Sequence, residues 1–191
     1  MNYYDFVSQP SFFSFLLEID RSIAEQAHAR PCNFCTGKLN RGDFFRSGLG
    51  LPAGCDEEHQ RRFSFCCQVD GCRKRSTPES VRFLRGFAYV TIIVLVMSAI
   101  HHGLSAARVR DLTTKLRVSR QTVARWLVWW RKHFAGSAFW RVQRGRFMPT
   151  LDETKLPLAL LEHFETAGDQ LRDGVVLLLR WLAQCSDASP R

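Results

Sequence analysis

The sequence predicts a mainly α-helical protein with a small cysteine-rich unit of short β-strands, a three-helix unit and a helical C-terminal tail. Apolar residues recur at helical spacing over 11–29, 105–134 and 150–185. Between these stretches, residues 31–76 are rich in glycine, cysteine and arginine, with short aromatic runs typical of strands joined by turns. We therefore divide the chain into segments 1–30, 31–76, 77–146 and 147–191.

The composition indicates a folded, basic protein. The 191 residues are 46% hydrophobic and carry a formal net charge of +9, which excludes the profile of a disordered chain. The charge favours an anionic partner, with nucleic acid as the first candidate and a membrane surface as the second. Residues 108–146 hold eleven Arg or Lys and one acidic residue, Asp111, and this local excess indicates nucleic-acid binding better than the total charge does.

The sequence predicts neither export nor a membrane span. The N-terminus lacks a basic segment, and the apolar stretch from Phe12 is interrupted by Glu18 and Asp20. The apolar run 87–100 is about half the length that spans a bilayer, so we expect a buried helix, with a helix lying on a membrane surface as the alternative. Seven cysteines without an export signal indicate metal binding or free thiols. We expect a cytoplasmic, nucleoid-associated protein.

The first segment predicts one amphipathic helix over 11–29, which Pro31 ends. Its apolar face is formed by Phe12, Leu16, Ile19, Ile23 and Ala27. A further helix is predicted to begin at Thr77 and Pro78, because threonine is a good N-cap and proline suits the first helical position. Gly86 is either an interruption of that helix or its true start.

The cysteines of segment 31–76 predict a zinc ribbon. Cys32 and Cys35 form a C-x2-C pair, and a second group follows at Cys66, Cys67 and Cys72. Structural zinc takes four ligands in a tetrahedron, and two tight turns supply two ligands each. We select Cys32, Cys35, Cys67 and Cys72 as the ligands of a structural Zn²⁺.

Several other residues remain alternative ligands. Cys66 competes with Cys67, because neighbouring residues of a strand point to opposite faces and only one of them reaches the metal. Cys55, His59 and His28 lie near the cysteines in sequence and are expected at the surface or beside the site. Unrelated buried thiols and a redox C-x2-C pair are the competing interpretations of the whole pattern.

Residues 105–117 and 120–134 predict two helices joined by a short turn, which is a helix-turn-helix. Ser119 is placed to cap the second helix. The second helix has an apolar stripe that favours core packing, formed by Val123, Trp126, Leu127, Trp130 and Phe134. Trp129 lies off this stripe; it packs on the tail or stacks on a base, and we favour packing.

The opposite face of the second helix has the composition of a DNA-reading surface. Arg can bridge guanine, Gln can bridge adenine, and the helix N-terminus favours phosphate. Further arginines on either side can hold the DNA backbone. The predicted DNA-binding residues are Arg117, Ser119, Arg120, Gln121, Thr122, Arg125, Lys132, Arg141 and Arg144. An ordinary helical hairpin with a solvated basic face is the alternative.

The tail predicts two helices, the second with an apolar stripe that either caps the core or forms a dimer interface. The stripe consists of Leu171, Val175, Leu178, Leu179 and Leu182.

The C-x2-C pair, the run Cys72-Arg73-Lys74-Arg75-Ser76-Thr77-Pro78 and the stretch from Leu112 to Trp126 resemble the N-terminal DNA-binding region of insertion-sequence transposases and their small companion proteins. The resemblance covers about residues 30–135. It implies recognition of transposon-end or operator DNA. Those transposases cut DNA with three carboxylates on a sheet, whereas the acidic residues after residue 135 have no strand context, so catalysis is not implied.

We therefore expect a non-enzymatic, sequence-specific binder of double-stranded DNA that acts as a transposon-associated accessory or regulatory factor, as a homodimer or with a transposase or integrase. The alternative is an interaction subunit of a nucleoprotein complex that holds RNA or single strands. Stacking of unpaired bases requires exposed aromatic rings, for which Phe44, Phe45 and Trp140 are candidates. A nuclease that uses the zinc or the tail carboxylates is a third hypothesis.

Overall fold

The computed structural model describes residues 9–46, 51, 53–84, 106–115, 118–166 and 171–186. This part of the chain is mainly helical, as predicted, with two small antiparallel sheets. The predicted helix at 87–100 and the predicted DNA-binding residue Arg117 lie outside the described residues. None of the described helices combines the length and the hydrophobicity that a bilayer span requires.

The described helices lie close to predicted positions, except for Ala138–Gln143, which falls between the predicted helical stretches. They are α1 (Pro10–His28), α2 (Ala106–Lys115), α3 (Arg120–Val128), α4 (Ala138–Gln143), α5 (Leu158–Thr166) and α6 (Leu171–Ala183). Four short 3-10 helices accompany them, at Glu57–Gln60, Arg144–Arg146, Glu153–Lys155 and Gln184–Ser186. Helix α3 continues directly into a π-helical turn, Trp129–Phe134, so the two together span the single helix predicted over 120–134.

Within the residues that the structure describes, all strands lie in segment 31–76, as the composition predicts. They are β1 (Leu39–Arg41), β2 (Phe44–Phe45), β3 (Arg61–Arg62), β4 (Phe65–Cys67) and β5 (Arg75–Ser76). The three-stranded sheet has the order β1-β4-β5, and β2 pairs with β3 in the second sheet. Leu39 faces Cys67 across the first pair, so the sheet connects the two cysteine groups of the chain.

Helix α1 packs on two separate cores. Phe12, Phe13 and Leu16 belong to the large core shared with α3 and the tail helices, whereas Leu17 and Ala24 belong to a small core with the strands. The buried face therefore differs from the predicted stripe, whose members Ile19, Ile23 and Ala27 are only half-buried. A helix that serves two cores must bury a wider and rotated face, which a search for a single stripe does not find.

The predicted helix start at Thr77 and Pro78 is wrong, because residues 77–84 are not helical. The Ser80 Oγ accepts the backbone N–H groups of Arg82 and Phe83, at 3.1 Å each, which closes a local turn of the kind that serine favours. Val81 and Phe83 are buried in the large core, so tertiary packing overrides the helix that Thr77 and Pro78 favour locally.

Segment 80–84 is held to α1 by a buried ion pair. Arg82 is 0% exposed and its Nε donates to the Asp20 carboxylate at 2.7 Å, while Asp20 is 1% exposed. Asp20 also accepts the backbone N–H of Val81 at 2.8 Å and the hydroxyl of Ser80 at 2.5 Å. The remaining Arg82 donors reach the carbonyls of His59 and Arg61 at 3.0 and 2.8 Å. A buried charge pair needs such complete pairing, because each desolvated ion is costly alone.

The π-helical turn explains the burial of the tryptophan cluster. Trp130 is fully buried and its ring centroid lies 4.7 Å from that of Phe134, as expected for residues on one helical face. The wider π turn brings position i+5 beneath position i, and Trp129 lies 5.5 Å from Phe134. Trp129 therefore packs against the core, as predicted.

The tail helices α5 and α6 close the large core. Val175, Leu178, Leu179 and Leu182 of the predicted apolar stripe are fully buried, against residues of α3, α4 and α5. Trp181 extends this contact, with its ring centroid 4.9 Å from that of Phe139 on α4. The stripe therefore packs within the chain, and α3 and α4, which carry the basic residues, pack against the same apolar core.

Candidate metal centre and nucleic-acid interface

Four cysteines converge at the junction of β4 with the turns on either side of the sheet. The Sγ atoms of Cys32, Cys35, Cys67 and Cys72 all lie within 4.8 Å of one another. The Cys35–Cys67 and Cys32–Cys72 sulfur distances are 3.3 and 3.9 Å. Zinc–sulfur bonds of about 2.3 Å in a tetrahedron require sulfurs about 3.8 Å apart, so this donor set fits a tetrathiolate metal site.

Backbone N–H groups donate hydrogen bonds to each of the four sulfurs. The thiols of Cys32, Cys35 and Cys72 accept backbone N–H groups of Phe34, Gly37 and Lys74. Cys67 accepts the N–H of Val69 at 3.5 Å. Each cysteine has one donor two residues after it, and Cys32 has a second in the N–H of Cys35, so the same hydrogen-bonded turn recurs at all four ligand positions. Such donors orient metal ligands and stabilise thiolates.

Both halves of the site have the same backbone conformation. Thr36 follows Cys35 with φ of 59°, and Arg73 follows Cys72 with φ of 43°. These left-handed residues turn the next N–H back toward the sulfur. The irregular four-residue spacing of the second pair is accommodated by Gly71, whose φ of 86° suits glycine. A longer turn therefore reaches the same geometry as the short C-x2-C pair.

Glycine is also required at position 37. A Cβ built there would lie 2.3 Å from the Val69 Cγ2 and 3.3 Å from the Cys67 Sγ. The two halves of the site thus approach each other so closely at this point that a side chain would force them apart.

The alternative ligands all lie outside the cluster. The Cys66 Sγ faces away and contacts the carbonyl of Arg73 at 3.4 Å, because successive residues of β4 point to opposite faces. Cys55 packs against the large core. His28 stacks on Phe65 with centroids 4.9 Å apart. The selection of Cys67 over Cys66 therefore agrees with the cluster geometry.

His59 belongs to a capping arrangement. Its Nδ1 lies 2.7 Å from the Asp56 Oδ1 and its Nε2 lies 3.2 Å from the Ser14 Oγ. The Asp56 side chain also accepts the backbone N–H of His59, and the Asp56 N–H lies 3.3 Å from the same Nδ1, which is the arrangement of a capping box on the 3-10 helix Glu57–Gln60; Nδ1 serves the carboxylate as donor in one tautomer and the N–H as acceptor in the other. The hydrogen bond from His59 lowers the pKa of Asp56. These contacts attach the turn to the first turn of α1.

The geometry of the cluster lowers the pKa of one ligand thiol and raises the pKa of the other three. The N–H of Phe34 is the main factor that lowers the pKa of Cys32, to about 7. In Cys35, Cys67 and Cys72 backbone N–H bonds also lower the pKa, but sulfur contacts and burial together outweigh them and raise it. Four crowded sulfurs accept one negative charge readily and further charges only with a cation among them.

Helix α3 has the two-faced character that the sequence predicts. Ser119 caps it, because its Oγ accepts the N–H of Thr122 at 3.2 Å. Val123 and Trp126 are buried in the large core, whereas Arg120 and Gln121 are exposed at the N-terminal end. Further exposed residues follow on the same side, at Ala124, Arg125, Val128 and Lys132.

Thr122 does not lie on the exposed face, although the sequence places it among the DNA-binding residues. It is 8% exposed, and its hydroxyl lies 3.0 Å from the Ser119 Oγ. The same hydroxyl accepts a hydrogen bond from the Arg125 guanidinium at 3.1 Å. The helix turns it toward the core side, so Thr122 positions Arg125 and does not offer a surface contact.

The flanking basic residues also reach solvent. Arg141 on α4 and Arg144 just after it are exposed, and Arg144 pairs with Glu153 at 3.2 Å. Trp140 is 1% exposed and donates to the same glutamate at 3.0 Å, so its predicted role as a stacking surface is wrong. Trp140 is buried by residues of the large core that lie far from it in the sequence, so its own neighbours in the chain do not reveal its burial.

The cysteine-rich unit does carry exposed aromatic rings, and each of them lies beside a cation. Phe45 is 58% exposed with the Arg61 guanidinium 5.2 Å from its ring centroid, and Phe44 lies similarly beside Arg75 at 5.7 Å. Phe34 was not selected from sequence, but it is 52% exposed. Its place inside the C-x2-C pair, at the tip of a turn, is the sequence signal that could have identified it.

No protein-family model, curated protein or solved structure matches the chain.

Proposed function

We propose that the chain is a zinc-stabilised, sequence-specific DNA-binding protein that reads duplex DNA with α3. The main support is the division of α3 into a face buried in the large core and an exposed face bearing Arg120, Gln121 and Arg125. A helix that enters the major groove requires such a rigidly supported polar face. Bidentate contacts of Arg to guanine and of Gln to adenine would read the sequence.

Structural Zn²⁺ is the metal proposed for the cysteine cluster. Four sulfur ligands with N–H donors fill a tetrahedral site without a position for water, and Cys32 and Cys67 are buried, so the arrangement suits a structural role. The metal would cross-link β4 to the turns that contain Cys32, Cys35 and Cys72. It would thereby stabilise a unit whose own apolar core consists of few residues.

Phosphate contacts are assigned to the exposed cations around α3. Lys132, Arg141 and Arg144 lie on the three successive elements that follow the C-terminal end of α3. Such contacts would fix the register of the protein on the duplex without reading its sequence. On the resemblance noted above, we propose that this activity serves an accessory or regulatory factor of transposition, which would act as a homodimer or with a transposase or integrase.

Zinc content tests the metal assignment. We expect one zinc ion per chain in the wild-type protein by elemental mass spectrometry, and a large loss of zinc in Cys67→Ser. Cys66→Ser is the matched control, because this neighbouring thiol points away from the cluster. Equal zinc content in the two variants would contradict the proposed ligand set.

Selection of bound duplexes from a random pool tests the DNA assignment. Wild-type protein should return a motif, and Gln121→Ala or Arg125→Ala should each lose about 1–3 kcal/mol of discrimination at one position. Lys132→Ala should weaken binding to all sequences and reduce the salt slope by about 0.9. Lys155→Ala, an exposed cation in the tail, is the control and should change neither. Salt-sensitive binding without a motif would refute sequence specificity.

A further inference from the structure

A cleft opens beside the cysteine cluster, between the first cysteine turn and strand β5. It has a volume of about 350 Å³ and is lined by Asn33 and Phe34 on one side and by Lys74, Arg75 and Ser76 on the other. Small-molecule sites begin at about 300 Å³, so the cleft has room for one nucleotide-sized group. The α3 face and its flanking cations have no residue in its lining.

The lining of this cleft carries a lysine and, among the described residues, no carboxylate. Lys74, Arg75 and the Cys32 thiol all line it. The Arg75 guanidinium is turned away from it, since it donates to the Gly42 carbonyl at 3.0 Å and to the Ser64 Oγ at 3.2 Å and lies beside Phe44, none of which lines the cleft. The Lys74 ammonium is therefore the cation that can meet an anionic group such as a phosphate there.

The cleft also offers a surface for a flat ring. Phe34 is half-exposed, and the Lys74 Nζ lies 5.8 Å from its ring centroid. Aromatic rings next to cations are the usual platform for unpaired bases, because every base can stack and its phosphate lies within reach of the charge. The Asn33 amide carries both donors and an acceptor and can pair with a base edge.

A second cleft continues the first. It has a volume of about 470 Å³ and shares Asn33, Ser76 and Thr77 with the nucleotide-sized cleft. Its outer end carries Arg30 and one acidic residue, Glu79. The two clefts together form a trough from the cysteine turn to the end of α1. A trough suits an extended strand better than an isolated mononucleotide.

From this arrangement we infer that the cysteine-rich unit binds unpaired DNA, with a base stacked on Phe34 and its phosphate on Lys74. The inference rests on the proposed function for the class of ligand, but it adds a second binding surface. The natural substrate would then be duplex DNA with an unpaired segment, read by α3 on the duplex and held by the trough on the single strand.

Fluorescence anisotropy with an oligothymidylate of about 12 nucleotides tests the inference on the full-length, zinc-loaded protein. Phe34→Ala should weaken binding by about 5-fold to 150-fold, the range for loss of one base stack, and Phe34→Tyr should restore it. Lys74→Ala should lower the salt slope by about 0.7. Phe45→Ala is the matched control, because this exposed ring lies outside the cleft and should leave affinity unchanged.

Zinc content and melting temperature should be unchanged in these variants, and Lys74→Ala provides an independent measurement should Phe34→Ala fold poorly. Equal affinity of wild type, Phe34→Ala and Lys74→Ala would overturn the inference, as would a loss confined to Phe45→Ala. Tighter binding of oligouridylate than of oligothymidylate would overturn the assignment to DNA.

Failure of the proposed function would look different. A missing duplex motif with intact, Phe34-dependent binding of oligothymidylate would refute sequence reading by α3 and leave the trough in place. A duplex motif that depends on Gln121, together with absent single-strand binding, would support α3 and refute the trough.

Discussion

Removal of the Asp20 carboxylate should destabilise the protein severely. Asp20 accepts hydrogen bonds from Ser80, Val81 and Arg82, and Asp20→Ala leaves the Arg82 guanidinium buried without its counter-charge. Loss of one partner of a buried pair costs about 3–5 kcal/mol of unfolding free energy. For a chain of this size that corresponds to a fall in melting temperature of about 6–20 °C.

Urea unfolding followed by circular dichroism, with zinc in excess, would measure the change as a lower midpoint at constant slope. Glu18→Ala is the matched control, because Glu18 lies on the same helix and pairs with Arg21 at 2.6 Å, but is 63% exposed. Exposed pairs contribute at most about 1 kcal/mol. A combined Asp20→Ala and Arg82→Met variant should recover part of the loss, because it removes the isolated charge.

Asp20→Ala and Glu18→Ala variants with the same midpoint would refute the reasoning. So would a double variant no more stable than Asp20→Ala, because the cost would then come from lost packing and not from the unpaired Arg82 charge.

Three further predictions concern the metal centre and α3. Gly71→Ala should cost about 1 kcal/mol and lower zinc affinity through its positive φ, whereas Gly145→Ala, equally open to solvent, should be neutral by urea unfolding and zinc competition. Zinc binding should release about four protons near pH 6 and about three near pH 8, because the pKa of Cys32 is about 7 and those of the other ligand thiols are raised; constant release, read with an indicator dye, would contradict this. Thr122→Val should reduce base discrimination in the duplex selection less than Arg125→Ala does, because Thr122 acts through Arg125; an equal or larger loss would show that Thr122 contacts DNA itself.

Features set by neighbouring residues could be predicted from the sequence. The cysteine turns depend on close spacing, and the cap at Ser119 depends on a helix that begins at the next residue. The buried residues of α3 recur at helical spacing, so Val123 and Trp126 could be assigned to the core. The position of the second cysteine group near the first also follows, since one metal needs both.

Features set by distant residues could not be predicted. Asp20 and Arg82 lie 62 positions apart, and each by itself has the sequence character of a surface charge. The burial of Trp140 depends on the tail, which folds over α4. Thr122 was assigned to the exposed face because helical spacing gives its angle only roughly, and its hydrogen bonds settle the side it takes.

The amino-acid sequence by itself therefore determined the long amphipathic helices, the cysteine turns and the basic character of the α3 region, because periodicity, ligand spacing and charge are local properties of a chain. Only the tertiary structure decided which face of α1 is buried, which of Cys66 and Cys67 joins the cluster, and that Phe34 shares a cleft with Lys74. These outcomes depend on strand pairing and on contacts between segments far apart in sequence. A residue becomes buried, and a cleft forms, only when the segments on both sides have folded together.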